Sequence, residues 1–323
     1  MFFFGSGGRS GYGTDPVPPD FLDQIFKRSA SYLCIHNQVI SLALKFNLSS
    51  KIDSLKNMNK ISIVITSFNR IALIGVAIDS ALIFIEEFGE GEIIIVDDHS
   101  VDGTVEYLSL KYKSELDTGR ILLIQHRKNL GATGAKNSGA RVATGNWIMF
   151  LDSDDKLQPG VAVKIKITVH TVPESCPVVF FRCVNEEGWL IGPELSKEYW
   201  LKLSEFLCRG TPGECLPVVR SLHFSRFQYD EDLRGFEGLA YGKMIREFGP
   251  SLVSPIVARV YSTSNNDRLC TRENIRKRSC LIALGYARML RLFFPVLGIN
   301  GLMRIGGKAT VHFLRCIYSK VTS

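Results

Sequence analysis

The sequence predicts an α/β fold, a mostly parallel central sheet flanked by helices, followed by a helical and basic carboxyl-terminal tail. Three observations carry that expectation. From Lys60 to Thr171, short β-branched runs alternate with stretches of helical spacing. Those runs are apolar throughout rather than at every second position, as strands covered on both faces are. The 323 residues are 46% apolar and 22% charged, the balance of a folded chain with a sizeable core rather than a disordered, collagen-like or disulfide-stapled one.

The elements follow in order. Residues 1–57 read as an amino-terminal extension, with a flexible Gly/Ser/Pro-rich lead from Gly5 to Pro19 and a modestly amphipathic stretch from Phe21 to Leu55. The glycines of the lead neither follow a strand nor open a helix, which argues against a phosphate loop. Met58 stands just before the first strong strand and is a candidate start of translation. Strands are expected at Ile61–Ile65, Glu92–Val96, Arg120–Gln125 and Trp147–Leu151, and helices at Arg70–Phe88, Gly103–Leu116, Gly131–Ala143 and Val161–Thr171. Beyond Pro173 the alternation weakens: a strand is expected at Val178–Cys183, helices at Lys197–Leu207 and Gly235–Phe248, and a strand at Ser254–Tyr261. The Gly210–Pro217 stretch reads as a shaped loop.

Charge is uneven along the chain. From Asn274 to Ser323 there are nine basic residues and no acidic one, so the tail carries the whole net charge of +7. Ser279 to Met303 mixes Leu, Ile, Phe and Met with Arg288 and Arg291 around a Pro-Val-Leu-Gly break, which suits the interface of an anionic membrane. The competing expectation is a soluble helical pair packed on the rest of the protein. No run reaches the ~18 uninterrupted apolar residues of a membrane span, and Met-Phe-Phe-Phe lacks the basic start of a secretory signal. The expectation is a cytoplasmic protein, at most peripheral on the inner face of the cell membrane. The eight cysteines include no Cys-x-x-Cys pair and are expected as reduced, mostly buried thiols. No two of the six histidines lie at i, i+4, so a histidine metal site is not expected.

In such sheets ligands bind beyond the carboxyl ends of the strands, and polar motifs stand there. The first strand runs into Thr66-Ser67-Phe68-Asn69-Arg70. The second runs into Asp97-Asp98, adjacent carboxylates whose repulsion is tolerated when a ligand donates to them; Ser100 or Asp102 suits a helix cap. The fourth runs into Asp152-Ser153-Asp154-Asp155, where Asp-x-Asp puts two carboxylates on one side of an extended turn, a donor set for Mg²⁺ or Mn²⁺. Asn129 to Ala140 is a helix start rich in small residues, whose free N–H groups favour an anion and whose Lys136 would meet a diphosphate. The alternative is tight packing with Lys136 exposed.

Together, Ile63-Val-Ile-Thr-Ser-Phe-Asn-Arg, Ile95-Val-Asp-Asp-His-Ser-Val-Asp-Gly-Thr, Asn129-Leu-Gly-Ala-Thr-Gly-Ala-Lys-Asn-Ser-Gly and Phe150-Leu-Asp-Ser-Asp-Asp resemble the nucleotide-binding half of family 2 glycosyltransferases, which have the A-type glycosyltransferase fold. The resemblance runs from Ile61 through Leu157. It implies a glycosyltransferase domain over 58–265, with 58–157 binding the sugar nucleotide and 158–265 the acceptor, followed by a basic amphipathic segment, 266–323. By the same resemblance Thr66, Phe68 and Asn69 line the base pocket, Asp97 and Asp98 contact base and ribose, Lys136 lies near the diphosphate, and Asp152 and Asp154 hold the metal-bound sugar nucleotide. Lys136 stands where the family commonly has Arg, keeping the charge but losing the bidentate fork.

The family's acidic base matches Tyr229-Asp230-Glu231-Asp232-Leu233-Arg234-Gly235-Phe236-Glu237-Gly238. Glu237 falls on the Glu of its Glu-Asp pair and Gly238 replaces the Asp, so Glu237 is the first candidate base, with Asp232 and Asp230 behind it; a helix-capping role for Glu237 is the alternative. Ser264 to Arg268 would form a lid, with Arg268 near the phosphates. The implied activity is metal-dependent, inverting transfer of a hexosyl unit from a nucleoside-diphosphate sugar to a glycan or glycolipid in bacterial polysaccharide assembly, without nucleic acid. A nucleotidyltransferase or a non-catalytic sugar-nucleotide binder are the alternatives.

Overall fold

The computed structural model describes residues 60–263 and 272–321, within one compact unit, Asn57–Ser323. The expected extension, 1–57, and the expected lid with Arg268 lie outside the described residues. In chain order the elements are β1 (Ile61–Ser67), α1 (Ile74–Phe88), β2 (Gly91–Asp97), α2 (Thr104–Lys111), α3 (Lys113–Asp117), β3 (Ile121–Gln125), α4 (Gly131–Val142), β4 (Trp147–Asp152), β5 (Lys156–Leu157), α5 (Ala162–Thr171) and β6 (Val178–Val184). There follow β7 (Tyr199–Leu201), α6 (Leu203–Arg209), β8 (Cys215–Arg220), α7 (Ser221–Arg226), α8 (Gly238–Phe248), β9 (Ser251–Val260), α9 (Arg272–Lys277), α10 (Ser279–Phe293), a 3-10 turn (Phe294–Val296) and α11 (Ile299–Val321).

The sheet runs β3-β2-β1-β4-β8-β6-β9-β5, with β7 also paired to β9. Strands β3, β2, β1 and β4 are mutually parallel, β8 runs against both β4 and β6, and β6 and β9 are parallel. It is thus mixed but mostly parallel. Alternate residues of single strands feed two cores. Ile61, Ile63 and Ile65 of β1 pack toward α1 and α5, while Val64 joins Ile94, Val96 and Phe150 beneath α4 and α8. Both faces are dry, which is why these strands show no polar alternation.

Several expected elements begin, end or change type for local reasons. Helix α1 starts at Ile74 rather than Arg70, because the Arg70 and Ile71 N–H groups donate to Thr104 Oγ1 (3.2 Å) and Asp102 Oδ2 (3.1 Å). The helix expected over Gly103–Leu116 breaks at Tyr112, whose hydroxyl is drawn to Asp79 (2.7 Å) and the Gly75 carbonyl (3.1 Å). Of the helix expected at Lys197–Leu207, Tyr199–Leu201 instead pairs with Ser251–Val253 as a strand, and the helix begins at Leu203. The stretch read as a loop up to Pro217 contains the start of β8. Its proline pairs with Phe180, beyond the last β4 partner at Val218, so no ladder bond to β4 is forfeited.

The carboxyl-terminal segment forms a helical hairpin. Cys280 of α10 and Cys316 of α11, with Cα atoms 4.8 Å apart, are joined by a disulfide, which corrects the expectation of reduced thiols for this pair. Cys176, Cys183 and Cys215 are free and buried, and Cys208 is free and half-buried. Phe293 is fully buried against Gly242 of α8, and the Phe236 ring packs against Gly285 of α10. Burial of one such ring is worth about 1.5–3 kcal/mol, so the inner face of the hairpin is fastened to the domain. Ser279–Val296 is long and apolar enough, by length and composition, to cross a membrane, its two arginines notwithstanding, and 22% of it is buried within the protein.

Candidate active site

The chain leaves β1 toward β2 on one side and returns to β4 on the other, opening a crevice at the carboxyl ends of β1 and β4. A cavity of about 800 Å³ occupies it. Thr66 and Phe68 reach it from β1, Asp152 and Asp154 from β4, Lys136 from α4, and Glu237 from the start of α8. Six residues from four separate segments therefore line one cavity.

Lys136 is the electrostatic centre. Its Nζ lies 3.0 Å from Asp152 Oδ1 and 3.9 Å from Glu237 Oε1. Burial alone would lower its pKa, but Asp152 and then Glu237 hold it above the ordinary lysine value. Burial would likewise raise Asp152, yet Lys136 and then Arg259 keep its carboxyl below the usual range. Lys136 is thus not the exposed cation of the packing alternative. The side chain of Glu237 makes no capping hydrogen bond at α8, which removes the capping alternative for this residue.

Arg259 of β9 also lines the cavity, although it is 97% buried. Its guanidinium lies 3.0 Å from Asp155 Oδ2 and 3.9 Å from Asp152 Oδ2, and donates to Glu214 Oε1 at 2.7 Å and to Cys183 Sγ at 3.3 Å. Asp155 points away from the two cavity-facing aspartates: it accepts the Ser262 N–H at 2.8 Å, and burial, outweighing Arg259, pushes its pKa up to about 7. It anchors the turn.

At the second strand end Asp98 lines the cavity but also serves as scaffold, while Asp97 does not reach the cavity. Asp98 accepts the N–H groups of Leu130 and Gly131, both at 2.7 Å, and faces His126 Nδ1 at 2.8 Å. A carboxylate has about four acceptor positions, so Asp98 is largely spent on holding the start of α4. Those two N–H groups are therefore not free for a ligand anion, which leaves the next ones, from Ala132 on, to face it. Asp97 is fully buried and does not line the cavity; Oδ1 accepts the Ser100 N–H at 2.9 Å, while Oδ2 has no hydrogen-bond partner among the described residues. Asn69, also off the cavity wall, ties β1 to the β2 loop through Ser100 and Val101 and adopts a left-handed backbone, as His99 does. Such backbone strain collects at functional sites.

Of the remaining candidates, Asp232 is drawn outward by Arg288 of α10 (2.7 and 3.0 Å) and Asp230 by Lys243 (3.0 and 3.2 Å). Neither reaches the cavity, and both lie outside the group that Glu237 joins. Sequence reasoning missed Arg259 and Arg234. A lone arginine in the apolar run Leu252–Val260 was the available signal for the first. Arg234 lies over Gly131, donates to Asn129 Oδ1 at 3.2 Å and lines the cavity. The loop singled out by its glycines and prolines contributes Gly210, Thr211 and Glu214 to the lining.

Among the described residues no three His, Cys, Asp or Glu side chains form a metal cage. Asp152 and Asp154 do supply two hard oxygen donors on the cavity wall. That set fits Mg²⁺ or Mn²⁺ in the mode where one or two carboxylates share the ion with water and substrate phosphate.

Residues 62–217 match the family described as Glycosyl transferase family 2. The GalNAc(5)-diNAcBac-PP-undecaprenol beta-1,3-glucosyltransferase of Campylobacter jejuni is 28% identical over 240 residues, 73% of this chain and 74% of that one. The UDP-Glc:alpha-D-GlcNAc-diphosphoundecaprenol beta-1,3-glucosyltransferase WfaP of Escherichia coli is 34% identical over 160 residues, 47% of this chain and 59% of that one. Among solved structures, the mannosyltransferase PcManGT of Pyrobaculum calidifontis in complex with GDP-Man and Mn²⁺ superposes with a TM-score of 0.55 at 14% identity, over 81% of this chain and 75% of that one, a likeness of fold. Motifs, topology, cavity and relatives all agree with glycosyl transferase family 2, whose match spans residues 62–217.

Proposed function

We propose that the protein transfers a hexosyl unit, with inversion, from a nucleoside-diphosphate sugar to a hydroxyl of a lipid-diphosphate-linked glycan during assembly of a bacterial surface polysaccharide. UDP-glucose is the first donor to test, because both curated relatives above are named as glucosyltransferases acting on undecaprenol-linked substrates and one is named for UDP-Glc. The observation that carries the reading is Lys136 held between Asp152 and Glu237 in a cavity at the β1–β4 crevice.

In this reading the base enters at the ends of β1 and β2, against Thr66 and Phe68, with Asp98 on the same lining. Lys136 and Arg234 face the diphosphate. Asp152 and Asp154 would hold Mg²⁺ or Mn²⁺, which when bound supplies positive charge to the departing diphosphate. Glu237 accepts the proton of the acceptor hydroxyl as its oxygen bonds to the anomeric carbon. The bond from that carbon to the phosphate oxygen breaks, its electron pair leaves with the nucleoside diphosphate, and attack from the opposite face inverts the centre. Lys136 shifts its hydrogen bond from Asp152 toward the diphosphate as charge builds there, a stabilisation made in the transition state. A lipid-borne acceptor puts this work at a membrane surface, met by the basic carboxyl-terminal helices.

The test is UDP release coupled to mass analysis of a prenyl-diphosphate-linked acceptor, using the full chain, UDP-glucose and Mn²⁺. Glycosylated lipid should form in step with UDP. Glu237→Gln should lower turnover by about 10²–10⁴-fold while UDP binding by calorimetry is kept, and Asp154→Ala should weaken Mn²⁺-dependent UDP binding. Unimpaired turnover by Glu237→Gln would remove it as the base. UDP-sugar binding with no transfer to any acceptor would leave a binder.

A further inference from the structure

We infer that the outer face of the carboxyl-terminal hairpin docks on an anionic phospholipid bilayer, with α11 lying along the surface. A helix packed on a domain needs one apolar face, and α11 has two. Its inner face, with Gly301, Leu302, Ile305, His312 and Cys316, is buried or half-buried in the hairpin and against α6. On its outer face Ile299, Met303, Leu314 and Ile317 recur at helical spacing and stand 77%, 71%, 59% and 45% exposed, with Phe313 and Tyr318 beside them. The bend between the helices adds exposed Phe294 and Val296.

The charge beside this face selects the occupant. Arg304, Lys308 and Arg315 are exposed along one flank of α11, and no acidic residue occurs from Asn274 onward. A second copy of the chain would set this cationic surface against itself, a juxtaposition that costs free energy. An anionic bilayer offers apolar depth and negative headgroups together, along the whole of a 23-residue helix. The hairpin lies on the surface rather than crossing it. Within the apolar stretch Ser279–Val296, Phe293 is fully buried in the protein and Arg288 is locked to Asp232.

This deepens, and for its purpose rests on, the lipid-borne acceptor proposed above. The inner side of the hairpin holds the loop that carries Glu237: Arg278 donates to the Arg234 carbonyl, and Phe236 packs on Gly285. Docking therefore brings the Glu237 side of the cavity to the surface where a lipid-linked hydroxyl is presented.

Flotation of the full chain with vesicles of phosphatidylcholine, with and without phosphatidylglycerol, tests the surface without any transfer step. The chain should float with the anionic vesicles and lose that association as salt rises. Met303→Glu/Leu314→Glu should reduce bound protein at least about tenfold, and Arg304→Gln/Arg315→Gln should abolish the preference for phosphatidylglycerol. Circular dichroism would confirm that both variants fold, and transfer to a water-soluble acceptor analogue should be unchanged in both. Unaltered flotation of the glutamate variant would overturn the docking face, as would resistance of the bound chain to alkaline carbonate, which marks a span, or a vesicle-free dimer that the glutamate variant dissolves. Loss of flotation with transfer to the soluble acceptor intact locates a failure in docking alone; docking without transfer to any acceptor locates it in the proposed reaction.

Discussion

Lys136→Met is the most informative single substitution, because it removes one charge from between two. At 3.0 and 3.9 Å, and with an effective dielectric of about 20, the Coulomb attraction of Lys136 to Asp152 and to Glu237 is roughly 4–6 kcal/mol each before desolvation is subtracted. Asp152 is 40% exposed and Glu237 24%, so water reclaims much of it. The expected net loss of stability is about 1–3 kcal/mol, which for a domain of this size lowers the Tm by roughly 2–12 °C. The loss of turnover should be larger. A preorganised cation facing a leaving diphosphate is worth about 3–4 kcal/mol in the transition state, so kcat should fall by about 10²–10³. Lys136→Arg, which restores the charge, should stay within about tenfold of the wild type. Adding Glu237→Gln to Lys136→Met should recover part of the lost stability, because the two carboxylates no longer face each other uncompensated. Thermal unfolding and initial rates of UDP release at saturating donor measure both effects. Turnover of Lys136→Met within threefold of the wild type, with its Tm unchanged, would refute the placement of this cation at the leaving group.

Arg259→Lys keeps a buried charge but cannot reach Asp155, Glu214 and Cys183 at once, so the turn bearing Asp152 and Asp154 should loosen. The donor KM should rise about tenfold or more with kcat less affected, and an unchanged KM would show that the turn holds without the arginine. His223 supplies a pH signature away from the cavity. Buried, stacked on Phe248 at 3.7 Å, and beside Arg220 and Arg226, it is pushed down from 6.5 to about 4. Between those values the unfolded chain binds the proton that the folded chain refuses, so stability is full above pH 6.5 and falls as the pH drops toward 4, by roughly 2–3 kcal/mol. Urea denaturation across that range should show a shallower acid slope for His223→Phe, and identical slopes would dismiss the assignment.

The parallel half of the fold was legible because each strand is apolar on both faces and each loop after it is polar, a pattern that few other architectures produce. The antiparallel half was not. Tyr199–Leu201 owes its strand to β9, more than fifty residues further on, and Cys215–Arg220 is a strand that begins inside a Gly/Pro-rich loop. Neither partner is visible in a local window. Long-range pairing also decided the site. Thr66, Phe68, Lys136, Asp152, Asp154 and Glu237 could be named from motifs, but Arg259 could not, since its partners lie at Asp155, Cys183 and Glu214 on separate segments. Asp232 stood next after Glu237 as a candidate base until Arg288, from a helix over fifty residues away, took it. The Cys280–Cys316 bridge was hidden for the same reason, because only the hairpin brings two cysteines 36 residues apart together.

Identical side chains within one motif thus divide between ligand and scaffold according to the direction in which the backbone sends them. Asp152 and Asp154, two apart, open on the cavity, while Asp155, the next residue, turns inward to Arg259 and the Ser262 N–H. Asp98 is spent on the start of α4 and Asp97 keeps one oxygen unpartnered. An alanine scan read by activity alone would rank all five as catalytic. Read by stability as well, Asp98→Ala and Asp155→Ala should lower both activity and Tm, because each strips an acceptor from backbone N–H groups, whereas Asp154→Ala, at a half-buried side chain on the cavity wall, should lower activity with a smaller loss of Tm. If Asp154→Ala and Asp98→Ala destabilised the fold equally, the division would be wrong, and the acidic turn after β4 would be a structural feature on which the chemistry does not draw.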